Sequence, residues 1–182
     1  MSATGWAAFE TSQGWCGIAW SQEAIARFHL PEGSQRAILK RLAREGAPAA
    51  PPAFAADAIV RARRYFSGEA VEFDNLPVAL DGLPDFSRRL YEEIRTLKRG
   101  ETITYGALAQ RLGLPKEAAR AVGQAMGANP VPLIVPCHRV LAAGGGLGGF
   151  SGPGGARQKA EMLALEGLRL NAADPGQGDF GF

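Results

Sequence analysis

The stretch TYGALAQRLGLPKEAARAVGQAM, residues 104–126, decides how the second half of this chain folds. Apolar residues recur at helical spacing on both sides of residues 113–115, where a glycine and a proline interrupt the pattern. Pro115 suits the start of a helix, because the first N–H groups of a helix have no acceptor within it and a proline there loses no hydrogen bond. We therefore predict helices over 105–112 and from Pro115 to about residue 126, arranged as a helix-turn-helix. Many folds that contact no DNA also contain such helix pairs, so the pattern alone leaves both interpretations open.

The second predicted helix has an unusual surface. Arg120 is the one long cationic side chain within residues 118–123. Its neighbours are small: Ala119, Ala121 and Gly123. A helix that reads base edges in the major groove normally carries several Arg, Asn or Gln side chains. Small side chains instead allow a close approach of the backbone with little sequence readout, although a solvated arginine on an ordinary core helix would give the same pattern.

Downstream, a proline-rich segment ends in a cysteine and a histidine. Residues 129–136 hold three prolines, which exclude a helix or a central strand and favour a stiff, irregular chain. Cys137 follows, and a thiol becomes a nucleophile when an imidazole such as that of His138 takes its proton. Glu166 could orient the imidazole. In an extended chain the two adjacent side chains point to opposite faces, so His138 would reach Cys137 through a water. A buried structural cysteine beside a hydrogen-bonded histidine is the alternative.

A glycine-rich run follows at residues 144–155. It lacks the Lys-Ser/Thr ending of a phosphate-binding P-loop and the strand-to-helix setting of a dinucleotide fingerprint. We interpret it as a flexible loop or lid over a pocket. A last helix is predicted over 156–166, and the tail after Asn171 is expected to fray.

The first half predicts a small α/β unit, in which short alternating runs form an antiparallel meander. The predicted elements are strands over 5–10, 14–20 and 24–30, helices over 34–45 (capped by Ser34) and 55–66, and a strand and turn over 71–80. The inner faces of the two helices are assigned to Ile38, Leu39 and Leu42, and to Ile59, Val60 and Phe66. A further helix is predicted to begin with Asp85 as its N-cap. We place the boundary there, giving an N-terminal α/β domain (1–83) and a mainly helical C-terminal domain (84–182).

Composition limits the class of protein. The 182 residues are 46% hydrophobic with a net charge of +2, which permits a nucleic-acid partner without indicating one. No apolar stretch is long enough for a membrane span, and no secretory signal is recognisable, so we expect a cytoplasmic monomer. The two cysteines, Cys16 and Cys137, are expected to be free thiols. With two histidines besides, no metal site is predicted.

Taken together, these residues resemble the O6-alkylguanine-DNA alkyltransferases, the methylated-DNA–protein-cysteine methyltransferases. Pro-Cys-His-Arg-Val at 136–140 matches the active-site motif of that family. Arg-Ala-Val-Gly at 120–123 followed by Asn-Pro at 129–130 matches the segment upstream of it, and the stretches 100–106 and 166–167 match as well. The resemblance covers about residues 85 to 170, whereas the first half matches only in general form, as a ribonuclease H-like domain.

The resemblance implies a catalytic role for five positions. Cys137 is implied as the alkyl acceptor, His138 as a water-mediated base and Glu166 as the carboxylate that polarises it. Asn129 would brace the active-site turn. Tyr105 would donate a proton to the guanine as it leaves. No cofactor is implied.

The resemblance also implies substrate contacts. The backbone carbonyls of Cys137 and Val140 would read the guanine amino group, and Ser151 would bond near O6. Phe150 lies in the substrate pocket where many relatives have tyrosine, so a contact through that hydroxyl is absent here. The residues at 153–154 look like a two-residue insertion beside the pocket.

The implied partner is double-stranded DNA that contains O6-alkylguanine, with O4-alkylthymine as a second candidate substrate. Arg120 would enter the base stack when the damaged base is flipped out. Ala119, Ala121, Gly123 and Thr104 would belong to the face that lies in the minor groove. The implied reaction is one irreversible transfer to the protein itself.

Three rival functions remain at the level of the sequence. A non-reactive lesion binder of the same fold would lack the acceptor cysteine. A cysteine hydrolase would use Cys137, His138 and Glu166 and would leave Arg120 without a role. A helix-turn-helix regulator would need base-edge readers that the second helix does not carry.

Overall fold

A computed structural model describes residues 3–169, and the predicted frayed tail after Asn171 lies outside this range. The strands in that range are β1 Gly5–Thr11, β2 Gly14–Trp20, β3 Ile25–Glu32, β4 Ala47–Pro48, β5 Ile103–Thr104 and β6 Val140–Leu141. The α-helices are α1 Gln35–Leu42, α2 Ala53–Phe66, α3 Asp85–Ile94, α4 Tyr105–Arg111, α5 Ala119–Gly127 and α6 Gly155–Leu165. Short 3-10 helices cover Lys116–Ala118, Cys137–Arg139 and Ala143–Gly145.

The first half contains a four-stranded sheet in the order β3-β2-β1-β4. β1, β2 and β3 form the predicted antiparallel meander, and β4, which was not predicted, pairs parallel to β1. The β1–β2 turn requires glycine at position 14, because its φ is 124° and a Cβ there would lie 2.5 Å from the carbonyl oxygen of Glu32.

Helices cover both faces of this sheet. Adjacent strand residues point to opposite faces, so Ala19 contacts α1 while Ile18 belongs to the main core with α2. Gly17 allows the close approach of α1, since a Cβ there would lie 3.1 Å from Ile38 and Leu42. Ser34 caps α1 as predicted and accepts a hydrogen bond from the amide of residue 37.

Two residues assigned to helix inner faces are exposed instead. Leu39 is 38% exposed and Val60 is 52% exposed, so both assignments were wrong. Each lies one position after a buried isoleucine, and one residue turns a helix by about 100°. The sheet therefore covers a narrower stripe of each helix than the hydrophobic pattern suggested.

The strand predicted over residues 71–80 does not form. This segment makes one isolated bridge, from Val78 to Ile25. The amide of Ile25 donates to the carbonyl of Pro77, and the amide of Ala79 donates to Ile25. Pro77 has no amide hydrogen, so the pairing cannot extend through it as a regular ladder. Val71 and Leu76 are nevertheless buried, which explains the strand-like apolar pattern.

The second half contains the predicted helix pair. Thr104 caps α4, accepting a hydrogen bond from the amide of residue 107. The second helix begins as the 3-10 turn Lys116–Ala118 with Pro115 in the capping position, and continues as α5. The predicted helix-turn-helix is therefore confirmed. Asp85 was wrong as an N-cap: it is the first residue of α3 and pairs with Arg88.

One buried cluster contains side chains from both halves of the chain, so the boundary at residue 83 stays a prediction. The β3 amide of Phe28 also donates to the carbonyl of Pro130 at 3.0 Å. The first half thereby supports the proline-rich segment that precedes the cysteine. No helix within residues 3–169 is long and apolar enough to cross a membrane.

Candidate active site

The proline-rich segment is held as a fixed turn by one side chain. Asn129 donates to the carbonyl of Val135 at 2.9 Å and accepts from the amide of Val131 at 3.0 Å. Leu133 has a positive φ of 78°, a conformation that a non-glycine residue adopts only when its surroundings enforce it. Asn129 thus lies where the resemblance put it, bracing the turn before Cys137.

Cys137 and His138 follow in a 3-10 helix rather than in the expected extended chain. Consecutive residues in such a helix differ by about 120° in direction, so the expectation of opposite faces was wrong. Cys137 is 5% exposed and His138 is fully buried. The irregular proline-rich segment ends at Pro136. The amide of Arg139 donates to the carbonyl of Pro136 at 2.9 Å and closes the 3-10 turn.

His138 and Glu166 form a buried pair, with Nε2 and Oε1 2.7 Å apart. Within the described range, Nδ1 of His138 has no hydrogen-bond partner. Burial lowers the pKa of His138, although Glu166 works in the opposite direction. We therefore assign a neutral ring that donates Nε2–H to the carboxylate, which leaves Nδ1 able to accept a proton.

Arg139 holds the Glu166 carboxylate through two bonds, Nε to Oε2 at 2.9 Å and Nη2 to Oε1 at 3.0 Å. The amide of Gly100 also donates to Oε2, at 3.2 Å. Burial by itself would raise the pKa of Glu166, but bonds from His138 and Arg139 outweigh it and lower this pKa to about 2. The sequence interpretation gave Arg139 no role, although it stands inside the matched motif at 136–140.

The thiol of Cys137 is protonated at neutral pH, because its pKa is raised. Burial raises its pKa, while Asn129 and Lys159 work in the opposite direction. Lys159 is a second residue that the sequence interpretation missed. Its ammonium nitrogen donates to the carbonyl of Val140 at 2.5 Å and lies 3.4 Å from the hydroxyl of Tyr105. Lys159 lies one helical turn before Leu163 on α6, and nothing in the local sequence indicated that its charge would be buried.

Tyr105 lies on the same side of the site. Its hydroxyl donates to the carbonyl of Gly149 at 3.3 Å. Burial, followed by the proximity of Cys137, raises the pKa of Tyr105 to about 12, so the group is a proton donor at neutral pH. Gly123 of α5 adjoins it, since a Cβ at Gly123 would lie 3.9 Å from the tyrosine ring.

Cys137 opens on a cavity of about 250 Å³. This volume is close to the lower end of the range for small-molecule pockets, roughly 300 Å³. Its walls come from β3, from the proline-rich turn and from the glycine-rich loop, and include Phe28, Leu30, Asn129, Pro132, Phe150, Ser151 and Gly152. The structure thus brings both Phe150 and Ser151 to the same cavity as the cysteine.

The helix pair presents the predicted small-residue face. Arg120 and Ala121 are exposed, and Ala119 and Gly123 are half-buried. Arg120 makes no hydrogen bond or salt bridge with any residue from 3 to 169. Thr104 is half-buried and serves as the helix cap. Residues 3–169 contain no group of three or more His, Cys, Asp or Glu side chains that could hold a metal ion.

Comparisons with known proteins agree with this geometry. Residues 85–168 match the family model described as 6-O-methylguanine DNA methyltransferase, DNA binding domain. The methylated-DNA–protein-cysteine methyltransferase of Mycolicibacterium paratuberculosis is 46% identical over 116 residues, 64% of this chain and 67% of that protein. The protein of the same name from Shigella flexneri is 44% identical over 108 residues, 59% of this chain and 61% of that protein. The aligned part is therefore less than two thirds of the Shigella protein.

Solved structures extend the similarity to most of the chain. A crystal structure of Mycobacterium tuberculosis OGT in complex with DNA has a TM-score of 0.73 and 34% identity, covering 90% of this chain and 92% of that one. The O6-methylguanine-DNA methyltransferase of Pyrococcus kodakaraensis has a TM-score of 0.69 and 25% identity, covering 90% and 99%. The family match, the relatives and the shared fold agree with the cysteine site, and the chain belongs to the methylated-DNA–protein-cysteine methyltransferase family.

Proposed function

We propose that this chain repairs DNA by removing the alkyl group from O6 of guanine in a duplex and transferring it to Sγ of its own Cys137. The observation that carries the proposal is the arrangement around Cys137. The thiol adjoins a cavity of about 250 Å³, and the next residue is a neutral histidine whose Nε2 is fixed by Glu166. Neither a purely structural cysteine nor a DNA regulator needs this combination.

His138 is the base in this proposal. Its Nδ1 takes the thiol proton through a bridging water, and Glu166 and Arg139 keep the ring oriented. Both the thiol and the imidazole are neutral at rest, because burial raises the pKa of Cys137 and lowers that of His138. The thiolate then forms only during the reaction, which protects the buried cysteine from other electrophiles.

The transfer is a displacement at carbon. Sγ of Cys137 forms a bond to the alkyl carbon while the bond from that carbon to O6 breaks, and its electron pair goes to the guanine. Tyr105 donates a proton to the departing base, and in the net reaction the thiol proton replaces the alkyl group on the guanine. Lys159, 3.4 Å from the Tyr105 hydroxyl, is placed to return a proton to it.

The guanine is recognised by groups around the cavity. The carbonyls of Cys137 and Val140 accept from its amino group, and Ser151 bonds near O6. The Val140 carbonyl already accepts from Lys159, but a carbonyl oxygen has two lone pairs and can accept a second bond. Phe150 supplies an apolar wall beside the alkyl group.

A base inside a duplex cannot reach a buried thiol, so the damaged nucleotide is flipped out. In the proposal α5 lies in the minor groove, the small side chains of Ala119, Ala121 and Gly123 permit close approach, and Arg120 fills the vacated stack. The exposure of Arg120 and its lack of a partner within residues 3–169 support this role. The protein acts as a monomer.

The reaction occurs once per molecule. The product is a thioether, which water does not cleave readily, and the second thiol is poorly suited to accept the group. Cys16 is fully buried, and burial raises its pKa to about 12. The protein is therefore a stoichiometric reagent.

Intact-protein mass spectrometry tests the proposal after incubation with a duplex that contains one O6-methylguanine. We expect a single added methyl group that saturates at one per protein and maps to Cys137. Cys137→Ala should abolish the mass shift and retain binding to the duplex. The matched variant Cys16→Ala should still be methylated.

Two results would overturn the proposal. Binding of the duplex without any mass shift would indicate a lesion binder. Absence of both binding and methylation, together with turnover of a small ester or amide, would indicate a cysteine hydrolase that uses the same Cys137, His138 and Glu166.

A further inference from the structure

A tyrosine from the first half of the chain enters the buried His138–Glu166 pair. Tyr65, near the C-terminal end of α2, is fully buried. Its hydroxyl oxygen lies 3.1 Å from Oε1 of Glu166, 3.4 Å from Nε2 of His138 and 3.1 Å from the carbonyl oxygen of Met162. This residue precedes His138 by 73 positions, so no local pattern links them.

The Tyr65 hydroxyl has one proton and two possible acceptors, the Glu166 carboxylate and the Met162 carbonyl, because Nε2 of His138 is itself a donor. A carboxylate is the stronger acceptor, since hydrogen bonds to charged groups are about twice as strong as neutral ones. Donation to the Met162 carbonyl would also turn the hydroxyl lone pairs toward the anionic Glu166. We therefore assign the O–H of Tyr65 to Oε1 of Glu166, the same oxygen that accepts Nε2–H of His138.

The aromatic ring of Tyr65 is fixed independently of this hydrogen bond. It meets the rings of Phe66 and Phe73 edge to face, with centroids 5.2 Å and 5.9 Å away. The ring of His138 lies 6.3 Å away at an interplanar angle of 68°. Replacement by phenylalanine would preserve these contacts and remove only the hydroxyl.

We propose that Tyr65 is a positioning residue for alkyl transfer, which holds Oε1 of Glu166 where it accepts Nε2–H of His138 and keeps Nδ1 as the base. This inference rests on the function proposed above. It also means that the first half of the chain supplies a group to the reaction, acting through Glu166 and not on the substrate.

The Tyr65 hydroxyl affects the pKa of His138 as well as the position of the Glu166 carboxylate. The charges near His138 are those of Glu166, Arg139 and Lys159, with the thiol of Cys137 adjacent in sequence; Arg99 acts on Tyr65 itself. Of these, Glu166 favours the protonated imidazole, whereas Arg139 and Lys159 oppose it. The Tyr65 bond disperses part of the negative charge on Glu166. Loss of that bond leaves more charge facing His138 and raises the pH at which the imidazole becomes neutral and can act as a base.

The test is the pH–rate profile of Tyr65→Phe in a single-turnover reaction with free O6-benzylguanine, which removes DNA binding from the measurement. We expect the rate at pH 7 to fall about fivefold or more, comparable with the loss of one hydrogen bond to a charged group. The acid limb of the profile should move upward by about half a pH unit or more.

Tyr91→Phe is the matched control. Its buried hydroxyl donates to the carbonyl of Ala125 at 2.6 Å and makes no hydrogen bond to the His138–Glu166 pair. Burial, followed by the proximity of Cys137, raises the pKa of Tyr91 to about 12, so the comparison uses the acid limb, which reports the imidazole and not the thiol. The control should lose comparable stability to urea and leave the acid limb in place. In a Glu166→Gln background, Tyr65→Phe should have little further effect on the rate, because the two residues act through one bond.

An unchanged rate and acid limb for Tyr65→Phe would overturn the inference. The inference would also fail if Tyr65→Phe and Tyr91→Phe lost rate to the same extent and neither moved the acid limb, since that pattern indicates structural destabilisation alone. The wild type is measured in parallel on free O6-benzylguanine and on an O6-methylguanine duplex: if it accepts an alkyl group from neither, the proposed function fails and the Tyr65 inference fails with it. If it reacts only with the duplex, the pH–rate profiles are measured on that substrate. A reactive wild type with unaltered Tyr65→Phe refutes the inference alone.

Discussion

The ammonium group of Lys159 donates to the backbone carbonyl of Val140 across 2.5 Å, joining α6 to the strand that directly follows the cysteine helix. Lys159 is fully buried, and no carboxylate lies within salt-bridge distance of it among residues 3–169. Burial lowers its pKa to about 8, with Cys137 working in the opposite direction. A buried ammonium is costly unless neighbouring groups compensate it. We infer that the charge of Lys159 is retained because it acts on the thiol of Cys137 and on the proton donor Tyr105.

Lys159→Met tests this reason, since methionine keeps the length of the side chain and removes the charge. The charge helps to lower the pKa of Cys137 and so to stabilise the developing thiolate. We expect transfer from free O6-benzylguanine to slow by about tenfold or more. Lys40→Met, on the exposed surface of α1, is the control and should react at the wild-type rate. Equal rates for both variants would contradict an electrostatic role for Lys159.

Arg120→Ala should separate DNA recognition from chemistry. If Arg120 fills the stack that the flipped base leaves, its loss slows repair of an O6-methylguanine duplex by about tenfold or more and barely changes the reaction with free O6-benzylguanine. Arg64→Ala on α2 removes the same charge and breaks only a surface pair with Glu69, which contributes little. Loss of both reactions to the same extent would exclude the role of Arg120 in the stack.

Glu166→Gln should change how stability depends on pH. The folded protein lowers the pKa of Glu166 from 4.5 to about 2, so its ionised carboxylate stabilises the fold above about pH 4.5, and this contribution is lost as the pH falls toward 2. The shift corresponds to about 3 kcal/mol at most. Urea unfolding should therefore show wild type and Glu166→Gln differing most near pH 7 and converging in acid. Glu161→Gln, at an exposed position on α6, should follow the wild type at every pH.

The same substitution should slow alkyl transfer, because glutamine is a neutral and weaker acceptor for Nε2–H of His138. Single-turnover rates at pH 7 measure this effect on folded protein. An unchanged rate would remove Glu166 from the mechanism and leave it a purely structural partner of Arg139.

Gly152→Ala should disturb the cavity wall. A Cβ at Gly152 would lie 2.5 Å from the ring of Phe150 and 2.6 Å from the amide oxygen of Gln158. Gln158 in turn donates to the carbonyl of Pro31 on β3 at 3.0 Å, so its side chain cannot move away from the new Cβ without losing that bond. We expect the bulky O6-benzylguanine to react much more slowly than with the wild type. Gly149→Ala is the matched control, since a Cβ there meets nothing within 4 Å; equal effects of the two changes would show that Gly152 has no special steric role.

The local pattern of the sequence was sufficient where neighbouring residues decide the structure. The meander, the cap at Ser34 and the helix pair around residues 113–115 all formed as predicted. The local pattern gave wrong predictions where the structure depends on contacts with residues distant in the chain. Val60 is apolar at a helical position that the sheet does not reach, and residues 71–80 have a strand-like pattern without a regular partner strand.

By itself, the sequence determined that a stiff, proline-rich turn delivers Cys137 beside His138 and that a helix pair precedes it, with one arginine among small residues on its second helix. These are local properties, fixed by the restricted φ of proline and by helical periodicity. Only the tertiary structure decided that Tyr65, Arg139 and Lys159 surround the site. Burial of a hydroxyl or a charge depends on groups that are distant in the chain, and the free energy of such contacts leaves no periodic trace in the sequence.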